Sequence, residues 1–328
     1  MNNTKTPAKQ GFVVQTLAVA MAATLGLSAC GGGGDSATTT SGNSSISGIA
    51  SKGLLKHAQV TAYCGSSTTP LGTDTTGDGT SGKAKGAYVL SWAGTCKEPV
   101  KIVVTPSADG QTKMEDEATK TDVKPDPSFK LRAIVADAAT TKTQHVTPAT
   151  DMAAAVAEKA VSLTAKSVAN AHALIVATVF GGDKKAYEAE PKSPDSLATA
   201  KPEEKKLATL LTTVSAMAHD DANCKAKATD AAKIQCAVES LSNQAKDSTE
   251  RIDDDGAKPD KTKHGPANAL ATVMSNMKTG KVKDKDGHDI RNNLHESEKM
   301  EMDDDKGMTA LLVTGAATAT AGTVVTGK

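Results

Sequence analysis

Cysteine is the residue type here with the widest choice of chemistry, and the chain has five of them. Thiols act as nucleophiles, bind zinc or pair as disulfides, and their spacing helps to separate these roles. Away from the N-terminus, Cys64, Cys96, Cys224 and Cys236 allow three pairings. Pairing by region joins Cys64 to Cys96 and Cys224 to Cys236. Zinc is the alternative, but no Cys-x-x-Cys or Cys/His cluster has ligand spacing, so we predict two disulfides and no metal.

The spacing of Cys224 and Cys236 constrains the local fold. On one continuous helix, residues twelve apart lie about 18 Å from each other. A disulfide tolerates Cα separations only up to about 7 Å. The chain must therefore turn between the two cysteines, and the polar residues 220–223 supply a turn, while Thr229 or Asp230 can cap a following helix. We predict a helix–loop–helix corner held by this bond.

The fifth cysteine, Cys30, follows a segment with the layout of an export signal. Lys5 and Lys9 precede the apolar run 12–27, which ends at small residues. The sequence Leu27-Ser28-Ala29-Cys30, followed by four glycines, resembles the lipobox of bacterial lipoproteins. The resemblance implies that residues 1–29 are a signal peptide, that the thiol of Cys30 carries a diacylglyceryl group, and that the new amine is acylated, for example with palmitate.

Lipidation at Cys30 implies attachment to a membrane, because two or three acyl chains anchor a protein stably. Gly31 is not the aspartate that retains lipoproteins in the inner membrane of enteric bacteria. The expected location is therefore the cell outer membrane, on its periplasmic or surface face. An uncleaved membrane anchor and an ordinary signal peptide are the alternatives.

The segment after Cys30 changes character twice. Residues 30–45 are small and polar, which predicts a flexible tether. Short β-type runs follow, punctuated by glycine and aspartate, at 46–50, 59–64, 87–92, 100–105 and 129–135. Val60, Ala62 and Cys64 alternate with polar neighbours, as a half-buried strand requires. These runs predict a small antiparallel β-sandwich over residues 46–140.

Part of this region resembles a known family of sandwiches. The segments that carry the resemblance are Ile46-Ser47-Gly48-Ile49, residues 54–63, Thr73-Asp74, Asp78-Gly79 and residues 86–90. Together they are similar to transthyretin-like, carboxypeptidase-regulatory-like domains. The resemblance implies a non-catalytic stalk or interaction module.

Beyond residue 143 the apolar period shifts from 2 to 3.6, which predicts helices over residues 145–280. Thr147-Pro148 is typical of a helix start, and Gly181-Gly182 of a helix stop. The predicted helices cover 148–160, 164–180, a segment that starts at 202, 230–246 and 266–278. The overall prediction is an α+β multi-domain protein, a small antiparallel β-sandwich followed by an α-helical bundle. Residues 146–150, 167–171, 179–181 and 207–218 resemble the helical region of uncharacterised proteobacterial outer-membrane lipoproteins, which implies architecture and no chemistry.

The last part of the chain, residues 281–328, is a charged segment followed by an apolar tail. The charge density of 281–306 favours a solvated face or a disordered segment, and 251–266 is predicted to be an exposed loop. Residues 308–327 carry no charge and are rich in Thr, Gly and Ala, which favours a docked tail or an irregular strand pair. A second membrane anchor is the alternative for this tail.

Composition excludes several function classes. The 38 basic residues equal the 38 acidic ones, so the chain lacks the basic surplus that nucleic-acid binding needs. Seven aromatic residues are too few for sugar-stacking platforms. Residues 284–289 begin like an EF-hand loop but have Asp289 where glycine is required, and 74–85 end in lysine. We find no nucleophile elbow, Walker loop or dinucleotide fingerprint, and His172 is predicted to be a half-buried packing residue.

The expected function is therefore a lipid-anchored cell-envelope protein that acts as a binding or structural module. We expect no enzymatic activity, catalytic residue, cofactor or metal. Its partners would be the membrane, through Cys30, and other envelope proteins. One alternative is an envelope hydrolase, which predicts a cleft with a perturbed histidine or carboxylate. Another is a carrier of a small apolar ligand, which predicts an enclosed cavity between helices.

Overall fold

The structure is a computed structural model that describes residues 43–80, 82–304 and 326. Strands fill its first part and helices most of the rest, so the α+β class is confirmed. The strands of the first part are β1 (Asn43–Ile49), β2 (Ala58–Cys64), β3 (Pro70–Thr75), β4 (Ala87–Ala93), β5 (Val100–Pro106), β6 (Met114–Asp116), β7 (Thr121–Val123) and β8 (Leu131–Val135).

These strands pair in antiparallel fashion. The largest sheet has the order β3-β2-β5-β8, while β1 pairs with β4 and β6 with β7. In its centre Val60 lies opposite Val104 and Ala62 opposite Ile102, and all four side chains are buried. Such cross-strand apolar pairs set the register, because a slip by one residue would turn the apolar face toward solvent.

Strand β1 begins earlier than the sequence predicts. Residues 43–45, expected at the end of the tether, pair with residues 91–93 of β4. The Ser45 hydroxyl donates to the Leu90 carbonyl at 3.0 Å, and the Ser44 hydroxyl to the Gly94 carbonyl at 2.9 Å. Hydrogen bonds to a neighbouring strand thus order residues that have too few apolar atoms to order themselves.

The helices follow the strands. They are α1 (Pro148–Ala157), α2 (Ala165–Val179), α3 (Lys184–Tyr187), α4 (Pro202–Asp220), α5 (Ala222–Lys225), α6 (Asp230–Asp247), α7 (Pro266–Lys278) and α8 (Glu296–Asp303), with 3₁₀ turns at Pro194–Thr199 and Ile290–Asn293. The Thr147 hydroxyl caps α1 by accepting the Thr150 amide, with Pro148 in the first turn. Gly181, at φ +57°, follows the last turn of α2. The long helices predicted from the sequence are confirmed.

The loop predicted over residues 251–266 is wrong for its first half. Strands β9 (Thr249–Asp253) and β10 (Gly256–Pro259) form a hairpin there. Ile252 and Ala257 are opposite each other in its register and buried, and the hairpin contacts α2. These two apolar residues are enough to pack the hairpin against the core, because its charged residues can remain in water.

The segment 281–306, predicted to be a solvated face or a disordered segment, is ordered over residues 281–304 and adds apolar residues to the core, although many of its charged residues are exposed. Val282, Ile290, Leu294 and Met302 are buried in the common core. Glu298 is buried as well, and its carboxylate accepts the Thr212 hydroxyl of α4 at 2.5 Å. These apolar residues are widely spaced in the sequence, so the high charge density of the segment does not reveal that it contributes to the core.

Strands and helices share one apolar core. Strand β8 packs on α1, and Ile134, Met152 and Val168 belong to the same buried cluster. Separate domains over 46–140 and 145–280 stay a prediction. None of the helices in the described residues combines the length and the apolar character needed to cross a membrane. The predicted signal peptide 1–29, Cys30 and the tail 308–327, apart from Thr326, lie outside the described residues.

Candidate functional site

The four cysteines that the structure describes form two pairs at disulfide distance, in the pairing expected from the sequence. Cys64 at the end of β2 pairs with Cys96, with their Cα atoms 5.7 Å apart. Cys224 on α5 pairs with Cys236 on α6, with their Cα atoms 5.3 Å apart. These thiols are therefore occupied by cross-links and unavailable as nucleophiles or zinc ligands.

The corner predicted around Cys224 is present. The Asp221 carboxylate accepts the amides of Asn223 and Cys224, which starts α5 directly after α4. The Thr229 hydroxyl then accepts the Ala232 amide and starts α6. These two side-chain caps, within nine residues, reverse the chain direction and bring Cys236 back to Cys224.

A groove of about 860 Å³ on the described part of the chain is a candidate binding space. It lies between α2, the end of β8 and residues 141–145, and Thr326 also lines it. Its apolar walls are made of small side chains: Val135, Ala136, Ala169, Ala173, Val176 and Ala177. Helix α2 turns Val168 and Ile175 into the core, while Ala169, Ala173, Val176 and Ala177 face the groove.

His172 and Tyr187 form the polar part of the groove floor. The Nε2 atom of His172 lies 2.9 Å from the Ile134 carbonyl oxygen. A carbonyl only accepts hydrogen bonds, so Nε2 carries the proton and Nδ1 is the acceptor. The Tyr187 hydroxyl, 2.6 Å from Nδ1, is therefore the donor to it. Both ring nitrogens are occupied, and the half-buried packing role predicted for His172 agrees with this geometry.

Protonation of the groove residues follows from their burial. Burial lowers the pKa of His172, although the hydrogen bond to Ile134 opposes this effect. Burial also lowers the pKa of His145, whose Nδ1 accepts the Ile49 amide at 3.1 Å. The pKa of the Tyr187 hydroxyl is raised far above its usual range by burial. At neutral pH the groove floor is thus neutral, and His172 has no free nitrogen with which to take a proton from a substrate.

A second polar cluster lies in the core, where the β6–β7 hairpin meets α4. Lys52 is fully buried, and its Nζ lies 2.8 Å from Glu117 Oε2 and 2.5 Å from Ser215 Oγ. The Ser215 hydroxyl donates to Glu117 Oε2 at 2.7 Å, and the Gly53 amide donates to Glu117 Oε1. A serine beside a lysine is a nucleophile arrangement in some enzymes. Here burial keeps it from any substrate in solution.

Asp116 extends this cluster toward His219. Burial raises the pKa of Asp116, but the neighbouring His219 ring, the charge of Lys52 and a hydrogen bond from Thr119 outweigh it and hold the pKa well below its usual range. His219 Nε2 lies 3.6 Å from Asp116 Oδ2. The cluster therefore keeps a charged carboxylate inside the protein, next to the Lys52 and Glu117 pair.

The acidic clusters considered for calcium behave as solvated turns. Asp284, Asp286 and His288 place one ligand atom each within 4.8 Å of one another. However, the Asp284 carboxylate already accepts the amides of Asp286 and His288, and two of the three residues are exposed. Asp74 accepts the Val89 amide and pairs with Lys83. These contacts explain the acidic residues as parts of turns and strand edges.

Comparisons with known proteins add no family: neither a family model nor a curated protein nor a solved structure matches the chain. Sequence reasoning missed the Lys52 cluster and the groove. Lys52 and Ser215 are 163 positions apart, and no local motif connects them. Gly53, next to the lysine in the sequence, is a local signal for this cluster, because its backbone has φ +63°.

Proposed function

We propose that this chain is a lipid-anchored protein of the bacterial outer membrane that works by binding, as a non-catalytic module. The lipobox-like residues Leu27 to Cys30 support the anchor. Two cysteine pairs at disulfide distance support an oxidising compartment such as the periplasm or the cell surface. Both features suit a protein that is exported, acylated at Cys30 and held at the membrane by its acyl chains.

The finer architecture is part of the same proposal. Residues 46–140 would be a transthyretin-like sandwich, and residues 145–280 a helical bundle. The strand order β3-β2-β5-β8, together with the β1-β4 pair, supports the sandwich. The contacts of α1 and α4 with α6 support the helical bundle. Such modules present surfaces to partners, which fits binding to other envelope proteins and not to nucleic acid.

The groove beside α2 is the proposed binding surface, and its lining is the observation that carries the proposal. Apolar walls that include Ala173 and Val176 line much of the space, the His172–Tyr187 pair offers a neutral polar floor, and the exposed ion pair of Lys184 and Glu188 also borders it. Ligand sites combine apolar lining with a few fixed polar groups in this way. The carrier alternative predicts an enclosed cavity between helices, whereas this groove lies between α2, the end of β8 and residues 141–145.

Dye binding tests the groove. We expect an apolar probe such as bis-ANS to bind the purified protein, and Ala173→Glu or Val176→Glu to weaken that binding at least about tenfold, because each puts a charge into an apolar wall. Val161→Glu is the matched control, since Val161 is fully exposed and lies outside the groove. Equal binding by all three variants would remove the groove from the proposal.

Radiolabelling tests the anchor separately. Cells that express the wild-type chain should incorporate labelled palmitate into it, and the protein should fractionate with outer membranes. Cys30→Ser should abolish the label and block cleavage after Ala29. A wild-type protein that takes up no label contradicts lipidation whatever the groove binds.

A further inference from the structure

We propose that Lys52 and Glu117 condense to form an intramolecular amide bond, which would make this buried pair a self-modification site. The two side chains lie where the turn after β1 meets the end of β6, in the core of the protein. Lys52 has no exposed surface, and the Glu117 side chain is 7% exposed. Water, which stabilises a free ammonium and carboxylate over an amide, is thus excluded from both groups.

In the described part of the chain, Lys52 Nζ has fewer hydrogen-bond acceptors than a buried ammonium needs. An ammonium has three N–H donors, and a buried one needs three acceptors. Among the residues that the structure describes, Lys52 Nζ has two partners, Glu117 Oε2 at 2.8 Å and Ser215 Oγ at 2.5 Å. If one proton moves from Lys52 to Glu117, both groups become neutral, and the amine has two donors and a lone pair beside the carboxyl group.

The geometry brings the reacting atoms together. The carboxyl carbon of Glu117 is one bond from Oε2, so Lys52 Nζ is held close to the separation of about 3–3.5 Å that near-attack geometries require. Holding two reactants in this way is equivalent to a very high local concentration, on the order of 10⁵ M or more. That advantage offsets the unfavourable equilibrium of amide formation in water.

Gly53 provides the group that would stabilise the developing charge. Its amide donates to Glu117 Oε1, the oxygen on which negative charge appears when the amine attacks. A Cβ at this position would lie 1.5 Å from the Glu115 carbonyl oxygen, and the backbone has φ +63°. Only glycine therefore fits where the amide must reach the carboxyl group.

Ser215 would carry the second proton. Its hydroxyl oxygen lies 2.5 Å from Lys52 Nζ and 2.7 Å from Glu117 Oε2, so it connects the attacking and leaving atoms. In the step, a bond forms between Nζ and the carboxyl carbon, and the bond from that carbon to Oε2 breaks. One nitrogen proton passes through Ser215 to Oε2, which leaves as water. No oxidant or reductant is needed, and Asp116 keeps the Thr119 hydroxyl and the Ala118 amide as hydrogen-bond donors.

Peptide mapping of the purified full chain by mass spectrometry tests the bond. We expect residues 52 and 117 in one linked peptide, lighter than the two separate peptides by one water molecule. The exposed pair Lys56 and Asp122, with 2.7 Å between Nζ and Oδ2, is the control within the same digest and should be recovered unlinked, because water surrounds it. Recovery of residues 52 and 117 only in separate peptides would mean an ion pair only and would overturn the proposal.

The variant Ser215→Ala tests the relay. It keeps the lysine and the glutamate, and we expect the linked fraction at a fixed time after synthesis to fall at least about tenfold. Lys52→Arg removes the amine nucleophile while keeping a positive charge, so it should abolish the link. A wild-type level of link in Ser215→Ala would overturn the role of Ser215, and a link in Lys52→Arg would overturn the assignment to Lys52.

Discussion

Arg132 Nε lies 2.8 Å from Asp151 Oδ1, and this contact joins the edge strand β8 to helix α1. Arg132 also reaches Glu158, with 2.5 Å between Nη1 and Oε2. The Ser242 hydroxyl of α6 donates to Asp151 Oδ2 at 2.5 Å. The Asp151 side chain is only 4% exposed, so its charge depends on these partners. One carboxylate therefore connects the strands to two helices.

Replacing Arg132 should destabilise the whole protein. Arg132→Met keeps much of the side-chain volume but leaves Asp151 as a buried carboxylate without its cation. Removing one partner of a buried pair costs about 3–5 kcal/mol, and because Arg132 is partly exposed we expect about 3 kcal/mol. Urea denaturation, followed by circular dichroism, measures the change in the free energy of unfolding.

An exposed ion pair supplies the matched control. Lys258 Nζ lies 2.8 Å from Glu250 Oε1, with both side chains open to solvent. Lys258→Met should change the free energy of unfolding by less than about 1 kcal/mol. If the two substitutions cost the same, burial is not what makes the Arg132 contact important.

Stability should depend on pH through the groove histidines. Burial lowers the pKa of His145 and of His172 in the folded protein, below the value of 6.5 for a free imidazole. The unfolded chain therefore binds more protons than the folded one once the pH falls below that value. The stability from neutral burial is fully present above about pH 6.5 and declines as the pH falls through the lowered folded pKa values.

Denaturation at a series of pH values checks this expectation. The free energy of unfolding should decrease between about pH 7.5 and pH 5, and His172→Gln should reduce that dependence while lowering stability at every pH. His264→Gln is the control, because His264 is exposed. A wild-type stability that is flat over this range would contradict burial of neutral histidines.

Local sequence signals predicted the elements whose stabilising contacts are local. Thr147-Pro148 marks the start of α1, since the cap and the first turn are adjacent in sequence. The alternation around β4 marks a strand because Tyr88, Leu90 and Trp92 turn to the core while Val89 and Ser91 face solvent. Strand β3, with the sequence PLGTDT and exposed or half-buried side chains, has no such alternation and was missed.

The sites depend on contacts that no local pattern encodes. Lys52 contacts a glutamate 65 positions away and a serine 163 positions away. The groove combines α2 with residues 141–145 and Thr326, so its shape follows from packing alone. For the same reason, a run of charged residues does not establish that each of them is exposed. Glu298 lies in a segment dense in charge, yet it is buried against α4.

A fragment of residues 43–140 tests whether the strands fold without the helices. We expect it to keep antiparallel structure, because β2, β3, β5 and β8 all lie within it and Cys64 pairs with Cys96 there. It should be less stable than the full chain, since Arg132 loses Asp151 and Glu117 loses Ser215. An unfolded circular-dichroism spectrum under oxidising conditions would count against an independent domain.

The last prediction concerns Cys224 and Cys236. Their bond closes a loop with a sequence separation of 12, and constraining the unfolded chain to such a loop contributes about 3 kcal/mol in the chain-entropy model. We expect the double variant Cys224→Ala, Cys236→Ala to lose about that much stability in urea denaturation. Alanine is preferred to serine because Cys224 is fully buried and a hydroxyl there would lack a partner.

Reduction separates the cross-link from the packing of the two side chains. With reductant present, the wild type and the variant should converge, because the constraint on the unfolded chain is then absent from both. A difference that persists after reduction would assign the effect to the buried volume lost at Cys224. Peptide mapping of the unreduced protein should recover Cys224 with Cys236, and either cysteine joined to Cys64 or Cys96 would contradict the corner between α4 and α6.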